Sequence, residues 1–290
     1  MKRKPQPPAP AKKMPLRLQK YINHNKYPDD VKVPVNEGFP YEKLKIRGNN
    51  PMLFLDAGAT TPIYGVYFIC CLGNYQEIVA EQMATLHRSG LFRRANMILC
   101  FICLYNDDIM PILEPYMSKL KIISTAENLF ERFALDNFRV HIPTAGPYCL
   151  FYFHTKGVTR DVEKMHIFHE RRKNLDYFIL ERYEVCLFWL HRGYDAVGTA
   201  LSLYPALHFS GNFWWARSTH LDRLSPTVVS PGYLAPEMYV CSFPGGKYIS
   251  VCQSTNDVPN STYLGMTNVD ILKQSTCMPI INPACRRLGI

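Results

Sequence analysis

In the stretch Phe151–Gly157, FYFHTKG, an apolar run stops abruptly at His154, Thr155 and Lys156 and then turns at Gly157. A lysine delivered at a strand end can meet a phosphate, while a threonine hydroxyl and a glycine N–H can donate hydrogen bonds to an anion. The same residues also suit an ordinary solvated strand end with a turn, so the stretch alone leaves both readings open. The glycine-rich run that precedes the lysine of a P-loop is missing, and no GxGxxG follows the first apolar strand. ATPase and dinucleotide oxidoreductase chemistry are therefore disfavoured.

The second stretch, HFSGNFWW at His208–Trp215, lies within residues 198–224 and is too polar for a core strand yet too aromatic for a surface loop. A sugar offers hydroxyls around its edge and C–H patches on its faces, so a site for one combines hydrogen-bonding side chains with an aromatic platform. His208, Ser210 and Asn212 supply the first, Trp214 or Trp215 the second, and Gly211 lets a ligand approach the backbone closely. Neighbouring strand residues face opposite ways, so one tryptophan is expected to pack inward and the other to stand open. Carboxylates available for base work are Asp195, Asp222, Glu237 and Asp257. Residue type alone does not rank them.

The elements that must position these groups are legible in the hydrophobic pattern. YGVYFICCL (64–72) is an unbroken apolar run of the kind buried on both faces in a parallel sheet. Residues 74–90 follow with Tyr75, Ile78, Val79, Met83 and Leu86 on one helical stripe, Asn74 and Glu77 placed as a cap pair, and Gly90 at the end. A second strand at 95–105 completes a βαβ unit, which places the chain among α/β folds. Further expectations are a strand at 119–125, a helix at 126–138, a strand at 148–157, and one long helix over 164–190 that carries Phe168, Leu175, Phe178, Ile179, Cys186, Trp189 and Leu190 on its buried stripe. A short strand follows at 194–199. Beyond residue 200 the elements shorten and glycine, proline and aromatics increase.

The formal net charge of +9 looks like a nucleic-acid signal until its distribution is considered. Lys2, Arg3, Lys4, Lys12, Lys13, Arg17, Lys20 and Lys26 all precede the first acidic residue, so the rest of the chain is close to neutral. No specific nucleic-acid binding is expected. Residues 1–20 read as a disordered, proline-rich basic tail, either a solubilising arm or a weak contact for a polyanion or an acidic membrane surface. Residues 21–60 read as irregular. No apolar run approaches the roughly 18–20 residues of a membrane span, and the tail lacks the apolar core of a secretory signal. Cys100 and Cys103 would alternate to opposite faces of a strand, poor geometry for shared zinc. The cysteines read as small core residues of a reduced, cytoplasmic protein, and the sequon at Asn260 as unused.

Four motifs in order, VYFICCLGNYQEIVAEQMATLHRSGLF, LFYFHTKG, RRKNLDYFILERYEVCLFWLHRGYDAVGT and HFSGNFWWARSTHLDRL, resemble a family of glycosyltransferases of large algal (chlorella) viruses and some bacteria, in particular the enzymes that build the N-glycans of the viral capsid protein. The resemblance covers about residues 64–242 and implies a GT-A-like fold: a single nucleotide-binding α/β domain with a mostly parallel or mixed central sheet flanked by helices. It implies transfer of a sugar from a nucleotide-diphosphate sugar, such as UDP-xylose or another UDP-sugar, to a glycan acceptor, in the host cytoplasm if the source is viral. A non-catalytic carbohydrate-binding module is the alternative. On this reading residues 61–199 form the donor-binding half and 200–290 the acceptor-side half of one domain. The donor would meet His154, Thr155, Lys156, Gly157 and Asp195, with His208, Ser210, Gly211, Asn212, Trp214 and Trp215 around the sugars. Glu237 matches the family's downstream glutamate and would be the general base of an inverting transfer. Mn2+ or Mg2+ is implied as well, although the family's Asp-x-Asp motif is not evident. The adjacent Asp107 and Asp108 follow the second strand instead, and Lys156 could take over part of the cation's work.

Overall fold

Every residue of the first apolar run, Ile63–Cys70 (β1), is buried, as a strand covered on both faces requires. The computed structural model describes residues 61–143, 146–158, 165–203 and 205–252. The expected basic tail, the irregular segment to residue 60, Asp257 and the Asn260 sequon lie outside the described residues.

Helix α1 (Tyr75–Ser89) follows β1 and buries the five stripe residues, and Gly90 closes it in the left-handed region at φ 83°. Its start differs from expectation. Asn74 makes no side-chain cap to the backbone and instead donates from Nδ2 to Glu77 Oε2 at 3.3 Å. A short α2 (Leu91–Arg94) leads into β2 (Met97–Cys103), and α3 (Met110–Leu113) lies between β2 and β3 (Leu120–Thr125). Both β2 and β3 run parallel to β1.

The helix expected over 126–138 is shorter. Phe130 adopts φ 54°, a left-handed conformation that a continuous helix excludes, and α4 spans only Arg132–Asn137. Strand β4 (Cys149–His154) pairs parallel to β1 on its other side. The long helix expected over 164–190 is divided into α5 (Met165–Asp176), a wide π-turn at Tyr177–Glu181 and α6 (Tyr183–His191). Inside that turn the Ile179 carbonyl accepts a hydrogen bond from Trp215 Nε1 at 2.8 Å.

The remaining elements are short: β5 (Ala196–Gly198), β6 (Leu201–Ser202), β7 (His208–Phe209), β8 (Trp214–Arg217), α7 (Ser218–Leu221), α8 (Ala235–Met238) and β9 (Tyr248–Ser250). The main sheet has the order β3-β2-β1-β4-β8-β5-β9, with β6 and β7 forming a separate ribbon. Strand β8 is antiparallel to both β4 and β5, while the other pairings of the main sheet are parallel; the β6–β7 ribbon is antiparallel. The expected α/β architecture with a mixed, mostly parallel sheet flanked by helices is the one observed.

The reversal at β8 has a geometric result. The carboxyl ends of β1, β2, β4 and β5 and the amino end of β8 share one edge of the sheet, and Gly198 lets the β6–β7 ribbon lie over that edge, since a methyl group there would overlap the Phe209 ring. The described cysteines are free thiols, all buried except the half-buried Cys71. Burial pushes the Cys70 thiol up to about 12 and that of Cys149 to about 11, which leaves them protonated and unreactive.

Candidate functional site

Strand β4 carries His154 to the carboxyl edge, and the chain turns there because Thr155 and Lys156 are bound back to their neighbours. Thr155 N–H donates to Phe68 O at 3.0 Å, its Oγ1 accepts from Cys70 N–H at 3.0 Å, and Lys156 N–H donates to His154 O at 2.8 Å. Thr155 is thus a buried tie between β4 and β1. The turn leaves the Lys156 side chain 14% exposed with Nζ 3.8 Å from Glu237 Oε1. Glu237 sits on α8, and its other oxygen lies 3.8 Å from His208 Nε2. His208 Nδ1 bonds the Ala206 carbonyl at 2.8 Å, so Nδ1 carries the proton in the neutral ring and Nε2 faces the carboxylate with its lone pair. Three residues from distant parts of the chain thereby converge at one point.

A second carboxylate, Glu131, feels the charge of Lys156 and was not among the sequence candidates. Its Oε2 accepts from Asn212 Nδ2 at 2.5 Å and from Tyr152 OH at 2.9 Å, and its Oε1 is 3.9 Å from His154 Nε2. Burial raises its carboxyl above the usual range, opposed by the charge of Lys156 and by the two hydrogen bonds. His154 bonds the Gly211 carbonyl through Nε2 at 3.0 Å, which puts its proton there. Burial, reinforced by Lys156, drops its imidazole to about 3, so it is neutral and its approach to Glu131 is no ion pair. Arg171, also missed, donates from Nη2 to Ser210 Oγ at 2.5 Å. Nothing in AENLFERF distinguishes Glu131 from its neighbour Glu127; the signal would have been the contact with Tyr152, which spacing does not reveal.

Below this edge a buried polar layer fixes the end of β4. Gln82 of α1 donates from Nε2 to His154 O at 3.2 Å and to Asp176 Oδ1 at 2.8 Å, and accepts from Tyr67 OH at 2.7 Å. Burial pushes Asp176 up to about 7, against the opposing effects of Gln82 and Arg172. Arg172 keeps its own counter-charge, donating to Glu81 Oε2 at 2.7 Å.

The backbone is strained at the same edge. Leu104, Phe130, Ala200 and Asn212 are the non-glycine residues with left-handed φ among the described residues, at 54°, 54°, 48° and 56°. Leu104 follows β2, Ala200 follows β5, Asn212 precedes β8, and Phe130 adjoins Glu131. Each such conformation costs on the order of 1–3 kcal/mol and persists only where surrounding structure enforces it.

Four expectations are corrected. Trp214 and Trp215 are both 0% exposed, so neither forms an open platform. Trp214 stacks on Tyr152 with centroids 5.2 Å apart and donates from Nε1 to Asn212 Oδ1 at 2.9 Å, and Trp215 packs on Phe151 at 4.9 Å. Of the polar neighbours that suggested a sugar site, Asn212 satisfies a buried indole. Gly211 does not open the backbone to a ligand, because a Cβ there would meet Leu175 at 2.9 Å and Lys156 at 3.5 Å. Asp195 is not near Lys156: it precedes β5 at the amino edge of the sheet, where it accepts from Arg217 at 2.7 Å, Arg223 at 2.6 Å and Lys247 N–H at 2.9 Å. Asp222 follows α7 at that same far edge, where Ser218 N–H bonds Tyr148 O. Of the weighed carboxylates within the described residues, Glu237 is the one that reaches Lys156.

No described set of three or more His, Cys, Asp or Glu side chains converges as metal ligands would, and Asp107 and Asp108 are an exposed pair after β2. No helix among the described residues is long and apolar enough to cross a membrane.

No protein-family model and no curated protein matches the chain. Among solved structures it is similar to the mannosyltransferase PcManGT from Pyrobaculum calidifontis, in complex with GDP-Man and Mn2+, with 10% identity and a TM-score of 0.39 over 61% of this chain and 52% of that one. The match thus spans about half of that mannosyltransferase. A 4-diphosphocytidyl-2C-methyl-D-erythritol synthase from Anaerococcus prevotii is similar at 12% identity with a TM-score of 0.37, over 73% of this chain and 96% of that one.

Proposed function

We propose that the chain is a GT-A-like glycosyltransferase that moves a sugar from a nucleotide-diphosphate donor to a hydroxyl of a glycan acceptor. The observation that carries this reading is the convergence of Lys156, Glu237 and His208 at the carboxyl edge of the sheet, the edge at which open α/β sheets bind their ligands. The ordered sequence motifs support it, and they are the ground for naming a UDP-sugar such as UDP-xylose as donor and a viral capsid glycan as acceptor.

In the reaction the acceptor oxygen attacks C1 of the donor sugar. The new O–C1 bond forms as the bond from C1 to the diphosphate oxygen breaks, and its electron pair leaves with the nucleotide diphosphate. Lys156 meets the charge that develops there. Glu237 takes the proton of the acceptor hydroxyl, which makes the transfer a single displacement with inversion. Its oxygens stand 3.8 Å from Lys156 Nζ and from His208 Nε2, beyond hydrogen-bond length, whereas Glu131 Oε2 is already engaged by two donors. That contrast favours Glu237 as base and Glu131 as the residue that holds Asn212 and Tyr152 in place. Ser210, held by Arg171, and the Gly157 turn complete the donor side.

The test is titration with a panel of UDP- and GDP-sugars. At least one should bind the wild-type chain in the micromolar range, and Lys156→Ala should weaken it about tenfold or more, on the scale of a charge-assisted contact. Binding by no panel member would remove the reading. Glycan binding without any donor dependence would instead indicate a non-catalytic carbohydrate-binding module.

A further inference from the structure

With both tryptophans buried, the open aromatic surface of the site must come from elsewhere. Phe130 is 38% exposed and Tyr233 55% exposed, with ring centroids 6.3 Å apart at 82°. Each stands near one of the two site carboxylates in sequence: Phe130 immediately precedes Glu131, and Tyr233 lies four residues before Glu237, in the turn that leads into α8. Lone exposed apolar residues need no explanation. These two are held in place at a cost. Phe130 occupies the left-handed region at φ 54°, unusual for a bulky side chain. The segment leading to Tyr233 is fastened to α4 and the turn after it. Arg132 donates to Val228 O at 2.8 Å, to Gly232 O at 3.3 Å and to Ser230 O. Asp136 accepts from Val228 N–H at 2.7 Å, and Arg139 donates to Pro226 O at 3.1 Å.

We infer that Phe130 and Tyr233 form the acceptor subsite, a corner on which the C–H face of a sugar ring packs while its hydroxyls reach toward the carboxylate side of the cleft. The inference rests on the glycosyl-transfer reading and adds to it the place and chemistry of the acceptor. The corner binds a pyranose or pentopyranose ring by its apolar face, which selects acceptors with several axial C–H bonds on one side and is indifferent to the nucleotide.

The experiment uses the full chain and methyl glycosides of glucose, galactose, mannose, xylose and fucose, with binding read by ligand-observed NMR and donor affinity measured separately with nucleotide sugars. At least one glycoside should bind the wild type, and Phe130→Ala and Tyr233→Leu should each weaken it about tenfold, the scale of a lost aromatic contact. Tyr233→Phe should bind as the wild type does, because the ring face is kept. Donor affinity and melting temperature should be unchanged in all three. Glycoside binding that survives both ring losses overturns the inference, as does a wild type that binds a nucleotide sugar but no glycoside. A wild type that binds neither removes the transferase reading together with it. Sedimentation showing a dimer that Phe130→Ala dissociates would also overturn it, by assigning the corner to a second copy of the chain.

Discussion

The two edges of the central sheet use the same residue types in opposite ways. At the amino edge Asp195 is saturated: two guanidiniums and a backbone N–H contact it at 2.6–2.9 Å, and these donors hold its carboxyl below the usual range although burial acts the other way. At the carboxyl edge Lys156, His208 and Glu237 approach only to 3.8 Å, and the backbone around them is strained. A charge whose partners are already at hydrogen-bond distance has little to offer a ligand. A carboxylate such as Glu237, held near Lys156 and His208 without closing that distance, is placed to receive one.

The sharpest way to break this comparison is Glu237→Gln. It should lower kcat by about a hundredfold or more while donor affinity and the denaturation midpoint stay as in the wild type, since a positioned base contributes roughly 10²–10⁴. Near-normal turnover would move the role of base to another carboxylate, Glu131 first. Asp195→Ala should do the reverse, with a stability loss of about 2–3 kcal/mol by urea denaturation and unchanged donor affinity. That is below the roughly 3–5 kcal/mol of a fully buried broken pair because both guanidiniums are more than a third exposed. Because the folded carboxyl titrates below its ordinary 3.8, the Asp195 contribution is fully present above that pH and disappears as pH falls through the lower folded value. An Asp195 variant that bound donor poorly yet melted normally would place it at the site after all.

A pH-dependent effect sharpens the picture beneath the carboxyl edge. Asp176 titrates at about 7 when folded against an ordinary 3.8, so its contribution is fully present below about 3.8 and is lost as pH rises through about 7. Wild-type stability should therefore fall between pH 5 and 8 by on the order of 2–3 kcal/mol more than that of Asp176→Asn. Equal slopes in the two proteins would show that Asp176 ionises without penalty in the fold.

Much of the framework was readable before any coordinates. The runs at 64–72, 95–105, 119–125 and 148–157 became β1 to β4, the first of them buried on both faces as its unbroken apolar pattern requires and the third a partly exposed edge strand; the stripe from Tyr75 to Leu86 became the buried face of α1. Local chemistry was less decisive where burial was at stake. HFSGNFWW mixes polar and aromatic residues for a reason internal to the core: an indole N–H removed from water needs an acceptor, and Asn212 supplies one to Trp214. The surface aromatics Phe130 and Tyr233 carried no comparable signal, because one exposed ring in a loop looks like any other.

The sequence by itself determined the alternation of strands and helix, the delivery of Lys156 to the end of β4, and the presence of candidate carboxylates, since these follow from hydrophobic period and from where an apolar run stops. The tertiary structure decided which carboxylates meet that lysine. Strand β8 runs antiparallel between β4 and β5, so residues that precede β8, such as Asn212, arrive at the carboxyl edge, whereas Asp195, which precedes the parallel β5, arrives at the opposite one. Strand direction is a property of pairing across the sheet, set by contacts between segments far apart in the chain, and no local pattern of residues encodes it.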